Sequence, residues 1–232
     1  MTGSIGASLG ADVLARRTDL PRKPDAVTLD GALVRLAPLD LARDVDALFA
    51  VSNGQAVTLG ARTVEAYDPD ALIWRYMSGG PFADAAGLAA WLRGYMEAPD
   101  GLSLCVSDRA SGRPIGVLSY LANTPLHLKV ELGGIWYSPV AQRSGANAEA
   151  TYLVLTHTFG LGYRRVEWKC DTLNERSRHA ALRMGFIFEG IQEAHYIVKG
   201  HNRDTAWFRI LDGEWPAVKR RLEARIKPPQ AR

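Results

Sequence analysis

The chain has 232 residues, 47% of them hydrophobic and 23% charged, the proportions of an ordinary folded protein rather than a fibrous or disordered one. A chain of this length buries enough surface for one core, or at most two, with no metal or disulfide staple. Its formal net charge of +3 is too small to demand nucleic acid or an anionic membrane as partner, and the uncharged stretch 114–128 is too short and too proline-broken for a membrane span.

Residues 1–26 mix Gly, Ser, Ala, Arg and Pro and read as an N-terminal arm outside the core, with a short helix around Asp12–Arg17. No Lys, Arg or solid apolar block opens the chain, so no secretory signal is expected. Leu33–Leu36 alternates as a strand and stops before Pro38, and Asp40 is placed to cap a helix carrying Leu41, Val45, Leu48 and Phe49. The stretch 53–83 is irregular. A helix with Leu88, Trp91, Leu92 and Tyr95 on one stripe follows and ends at Pro99. Strands are predicted at Leu102–Val106, Ile115–Leu121 and Leu126–Tyr137, the last with Gly133-Gly134 in its middle, a pattern that marks a bulge or a close backbone approach.

Beyond Pro139 the period turns helical through Ala148, Tyr152, Leu155 and Phe159. A strand over Arg165–Asp171, a helix from Asn174 to the stop at Gly185, strands over Phe186–Lys199 and Asp204–Leu211, and a basic amphipathic helix from Glu214 complete the order. Cys105 and Cys170 form no CxxC pair, which fits a reduced, cytoplasmic setting. The expected class is α/β with a mixed, mostly antiparallel sheet of about seven strands flanked by helices, in one domain over 27–226 that ends in a tail at 227–232.

The strand–loop–helix from 127 to 160 carries the chemistry. A glycine-containing turn before a helix offers backbone N–H groups without intrahelical partners and the positive end of the helix dipole. Gln142-Arg143-Ser144-Gly145-Ala146-Asn147 fits such an anion site, but the GK[ST] of a P-loop and the GxGxxG of a dinucleotide site are both missing.

The run Ile135-Trp-Tyr-Ser-Pro-Val-Ala-Gln-Arg-Ser-Gly-Ala-Asn147, followed by Asp171-Thr-Leu-Asn-Glu-Arg-Ser177 and Met184-Gly-Phe-Ile-Phe-Glu-Gly190, resembles the GNAT superfamily of acyl-CoA-dependent N-acetyltransferases, in its RimJ/RimL-type branch. The resemblance covers roughly residues 30–215. It implies a sheet whose central strands splay, with acetyl-CoA as co-substrate lying in the gap. Its pantetheine arm would pair with the backbone of Ile135, Trp136 and Tyr137, and its pyrophosphate with the amides of Gln142, Arg143, Ser144, Gly145, Ala146 and Asn147. Asn147 departs from the small residue usual at that position. Asn174 would lie near the cofactor arm and Ser177 would face the sulfur. Trp74, Tyr76 and His195 fall in regions that shape the acceptor site.

Acetyl transfer to an amine needs a neutral nucleophile, a stabilised oxyanion and a protonated leaving thiolate. A lysine with a pKa of about 10.4, or an α-amine at about 7.7–8.0, must first lose a proton. Glu131, beside the paired glycines, is the candidate to steer that proton, and Ser177 the candidate donor to sulfur. Each residue also has a structural alternative: Asn174 as a helix cap, Ser177 as a helix-start residue, Glu131 as a strand carboxylate, His195 as a structural histidine, and Trp74 and Tyr76 as core aromatics. His157 and His179 lack metal-ligand partners in the sequence pattern, so no metal is expected. The anticipated acceptor is a small-molecule or peptide amine, with no membrane and no nucleic acid required, and a homodimer is compatible. A CoA-binding module without turnover stands as the alternative, and RNA association through Lys219-Arg220-Arg221, Arg225 and Lys227 as a weaker one.

Overall fold

The computed structural model describes residues 6 and 8–226, so the expected tail at 227–232 lies outside the described residues. The elements are α1 (Ala11–Asp19), β1 (Leu29–Asp30), β2 (Val34–Pro38), α2 (Leu41–Ala50), β3 (Val57–Leu59), β4 (Arg62–Val64), a π-helical turn (Asp70–Trp74), α3 (Ala85–Met96), β5 (Leu102–Asp108), β6 (Pro114–Thr124), a 3-10 turn (Pro125–His127), β7 (Lys129–Tyr137), α4 (Ala146–Gly160), β8 (Arg165–Asp171), α5 (Glu175–Met184), β9 (Ile187–Val198), β10 (His201–Leu211) and α6 (Trp215–Ile226).

Eight strands form the main sheet in the order β1-β2-β5-β6-β7-β8-β10-β9, one more than expected because the two-residue β1 adds an edge. Every pairing is antiparallel except β7 with β8. One face carries Val130 and Leu132 of β7, Val166 and Trp168 of β8 and Phe208 of β10, and packs with Val154 and Leu155 of α4, Ala181 of α5 and Val218 and Leu222 of α6. The opposite face sets Cys105, Val117 and Trp136 against Leu48 of α2 and Leu88 and Leu92 of α3. The alternation of apolar residues along β7 and β8 decides which side chains meet which layer.

Local chemistry explains the element ends. Asp40 accepts from the amides of Ala42 and Arg43, and Asn174 from that of Ser177, capping α2 and α5. Gly185 stops α5 at φ +95°, a left-handed conformation that glycine adopts without a Cβ clash.

Two regions differ from the sequence expectation. The stretch 53–83, read as irregular, holds the β3–β4 hairpin and the π-helical turn. The arm is tied to the body: Asn123 Nδ2 donates to the carbonyls of Pro21 and Arg22, Lys23 Nζ donates to the carbonyl of Met96, and Leu20 packs on the main core.

Candidate functional site

The parallel ladder between β7 and β8 lasts only three positions, Lys129 with Arg165, Val130 with Val166 and Glu131 with Glu167. Beyond Glu131 the two strands run on without pairing, β7 to Tyr137 and β8 to Asp171. The cause lies on the other side of β7. Its register with β6 jumps between Gly133, opposite Ser119, and Trp136, opposite Val117, so one extra residue bulges at Gly134. Gly134 has φ +60°, and a Cβ there would crowd the Tyr95 ring at 3.2 Å. A bulge bends its strand and sharpens the twist, which turns the outer half of β7 away from β8. The main-chain groups of 135–137 on that side are left for another partner, except the Tyr137 carbonyl, which accepts from the Gln142 side chain.

The loop after β7 ends at the start of α4. Arg143 at φ +60° and Gly145 at φ +93° turn successive peptides, with Gly145 at the helix N-cap. Gln142 N and Ser144 N are spent on turn bonds to Ser138, Pro139 and Ala141, and Ala146 N on the Ser144 hydroxyl. The amides of Arg143, Gly145, Asn147 and Ala148 have no acceptor among the described residues. They sit at the positive end of a fifteen-residue helix, a local environment suited to phosphate oxygens. The Gln142 side chain does not join them, because its Nε2 donates to the carbonyls of Tyr137 and Leu72 and so pins the loop.

The π-helical turn runs between the two sides of the opening. Its Leu72 carbonyl takes Gln142, its Ala71 carbonyl takes Arg176 of α5 at 2.6 Å, and its Trp74 carbonyl takes Lys199 from the β9–β10 turn at 2.7 Å. Nothing in the local periodicity marks this strap, because all three of its partners are distant in sequence. Trp74 itself is a core residue, 1% exposed. Its indole donates to the Ser52 carbonyl and its ring packs on Phe82, Trp91 and Trp136, so it does not face an acceptor. Tyr76 is half-buried two residues further on.

Ser177 stands in the first turn of α5, beneath β8. Its Oγ accepts the Trp168 indole N–H at 3.1 Å, and its amide donates to Asn174, whose side chain therefore serves as the cap. Cys170, on the same side of β8, is buried, and burial pushes its thiol up, which is unsuited to a nucleophile.

On the opposite face, where β7 and β8 part, Glu131 is 2% exposed. Lys169 Nζ lies 2.9 Å from its Oε2 in a close ion pair. Burial holds the Glu131 carboxyl above its ordinary value despite Lys169; burial also opposes the Lys169 charge, but Glu131 outweighs it and the amine is raised. Lys169 also reaches the Tyr196 hydroxyl at 3.3 Å and lies 5.2 Å from the Trp207 ring centre. His195 joins this group, its ring 3.8 Å from that of Tyr196 and 5.9 Å from that of Trp207. Burial, then the charges of Lys169 and Arg203, hold its pKa low. Lys169, Tyr196 and Trp207 are additions to the sequence reading; the signal for Lys169 was a cation on a central strand, opposite the apolar Trp168 and Cys170.

The parted strands, the amide-lined turn and the capped helix opposite them are the arrangement of the family named from the motifs. The Acetyltransferase (GNAT) domain family matches residues 34–187.

The chain belongs to the GNAT superfamily.

A GCN5-related N-acetyltransferase from Brucella melitensis is 38% identical, with a TM-score of 0.80 over 90% of this chain and 88% of that one. A GNAT-family protein from Chromobacterium violaceum is 32% identical, with a TM-score of 0.78 over 93% and 99%. The ribosomal-protein-serine acetyltransferase of Escherichia coli K12 is 31% identical over 102 residues, 43% of this chain and 56% of that relative. These likenesses support both the superfamily and the RimJ/RimL-type branch expected from the motifs. Among the described residues, no group of His, Cys, Asp and Glu could hold a metal ion, and no helix is long and apolar enough to cross a membrane.

Proposed function

We propose that this GNAT protein moves the acetyl group of acetyl-CoA to a primary amine by direct attack in a ternary complex. The observation that carries the reading is the parting of β7 from β8 directly after Glu131, with four unspent amides in the loop after β7 and the first turn of α4. Acetyl-CoA would supply the thioester. The free edge of Ile135, Trp136 and Tyr137 would hold its arm, and the amides of Arg143, Gly145, Asn147 and Ala148 its pyrophosphate.

The chain's own groups divide the remaining work. An amide near Trp136 or Tyr137 stabilises the oxyanion as the amine attacks the thioester carbonyl. The Ser177 hydroxyl, accepting from Trp168, keeps its own hydrogen to donate toward the departing sulfur. The ammonium proton of the acceptor leaves toward Glu131, through water, on the face that also carries Lys169 and His195. No covalent enzyme intermediate is needed.

The acceptor is a protein N-terminus, an amino acid, a polyamine or an amine antibiotic, and the Escherichia coli relative, which acts on a ribosomal-protein serine, favours the first. We place the reaction in the cytoplasm. A module that binds CoA without turnover has less support, because Asn147, its main argument, turns its Oδ1 along the helix to accept from Thr151 Oγ1. Thiol release from acetyl-CoA across a panel of amines tests the proposal: turnover with at least one amine supports it, and CoA binding with none turned over refutes it.

A further inference from the structure

We propose that the acceptor amine carries a carboxylate, received by Arg203 on the Glu131 face of the sheet. The inference rests on the acceptor-side reading of that face. Arg203 is partly buried near the start of β10 and makes neither an ion pair nor a hydrogen bond among the described residues, and its Nε is buried without a partner. Arg165 and Arg209, toward the far end of β10, are spent on Glu189, and Arg176 on carbonyls of the π-helical turn. The Nε is cut off from water without a partner, and Glu131, whose carboxyl feels the Arg203 charge, is already paired with Lys169, so an anion from outside the chain gains there.

The surroundings favour the same chemistry. The Arg203 guanidinium lies 5.5 Å from the centre of the Tyr196 ring, and Lys169 Nζ lies 5.5 Å from that same ring. Of the two cations, Lys169 is matched by Glu131 and Arg203 is not. Asp204, next in sequence, is spent on the Ala194 amide at 2.7 Å and on Asn202 Nδ2 at 2.9 Å. Alternating with Arg203 along β10 are Thr205, fully buried, and Trp207, which lies opposite Lys169 in the β8 register. Thr205 Oγ1 and Trp207 Nε1 are likewise buried without a partner. Indole and guanidinium N–H groups donate and accept nothing, so whatever meets them must bring acceptor oxygens.

The backbone is shaped to assemble this group. Between the pair Arg203–Tyr196 and the pair Thr205–Gln192 the β9–β10 register slips, and β9 bulges through Ala194 at φ +49°. The bulge, held by Asp204, re-aims the stretch of β9 that carries His195 and Tyr196.

The test uses matched acceptors in the thiol-release assay, Ser-Asp-Ala-amide against Ser-Asn-Ala-amide and 4-aminobutyrate against its amide, with glutarate titrated separately while tryptophan fluorescence is read. The wild-type chain should favour the carboxylate acceptors by roughly ten- to hundredfold in kcat/KM, carried by KM, and Arg203→Gln should cut that ratio to about twofold or less. Arg203→Lys should keep part of the ratio, and it decides the matter if the glutamine variant does not fold. Glutarate should perturb the wild-type fluorescence saturably and leave Arg203→Gln unmoved. An equal rate with charged and neutral acceptors overturns this inference while leaving acetyl transfer intact, as does a ratio that survives Arg203→Gln. If no amine is turned over, the acetyl-transfer reading falls, and the glutarate titration alone decides whether Arg203 receives a carboxylate.

Discussion

Trp168 donates its indole N–H to the Ser177 hydroxyl across 3.1 Å, joining a buried side chain of β8 to the first turn of α5. A hydroxyl that accepts a fixed hydrogen bond has its own O–H turned elsewhere, and the proposed reaction assigns that hydrogen to the departing sulfur. Ser177→Ala should therefore lower kcat by about 10²- to 10⁴-fold while CoA affinity by calorimetry stays nearly constant. Trp168→Phe should lower kcat less, because the hydroxyl remains but loses its orientation. An undiminished kcat in Ser177→Ala would remove this residue from the chemistry.

The opening itself depends on Gly134. An alanine at φ +60° costs roughly 1–2 kcal/mol in backbone strain alone, and the Tyr95 ring stands at 3.2 Å from where its Cβ would fall. Gly134→Ala should lower the thermal midpoint and weaken CoA binding together. Gly112→Ala, at an open surface turn with φ +70°, should carry the backbone cost without the binding loss. Equal CoA affinity in both variants would separate the bulge from the site.

Glu149 anchors the first turn of α4, the helix whose N-terminus is proposed to meet the phosphates. It is 3% exposed, and its carboxylate accepts from the amides of Ala32, Leu33 and Val34 at 2.9, 2.6 and 2.8 Å. Removing it strands three N–H groups between β1 and β2, so Glu149→Ala should lose about 2–4 kcal/mol in urea unfolding. A loss no larger than that of an exposed control such as Glu97→Ala would contradict the anchor.

Two histidines give the fold a pH dependence. His157 is held below its ordinary 6.5 by burial, and His195 by burial and then the charges of Lys169 and Arg203. Each resists in the folded state a proton that the unfolded chain accepts. Their stability is therefore complete above 6.5 and is lost as pH falls through the depressed folded values. The thermal midpoint should drop between about pH 7 and about pH 5, and His157→Phe with His195→Asn should flatten that drop. An unchanged slope in the double variant would place the dependence elsewhere.

Much of the fold was legible because local chemistry fixed it. Asp40, Asn174 and Gly185 announce helix ends by their side chains or by the lack of one, and β8 and α5 lie where alternation and the helical period put them. The paired glycines of β7 signalled a bulge, and the bulge explains the splay. What stayed hidden depends on contacts far apart in sequence. Trp74 sits in a stretch without periodicity, and only its packing on Phe82, Trp91 and Trp136 shows it to be core. The strap from Asp70 to Trp74 exists through Gln142, Arg176 and Lys199. The Glu131–Lys169 pair follows from a parallel register, and the placement of His195 from a β9 bulge that no turn residue marks.

Hydrogen–deuterium exchange with and without acetyl-CoA tests the central claim most directly. The account predicts slowed exchange on addition of the ligand at the amides of residues 135–137 and of Arg143, Gly145, Asn147 and Ala148, with β5 unaffected. Unchanged exchange along 135–148 at saturating acetyl-CoA would mean that the parted strands do not hold it.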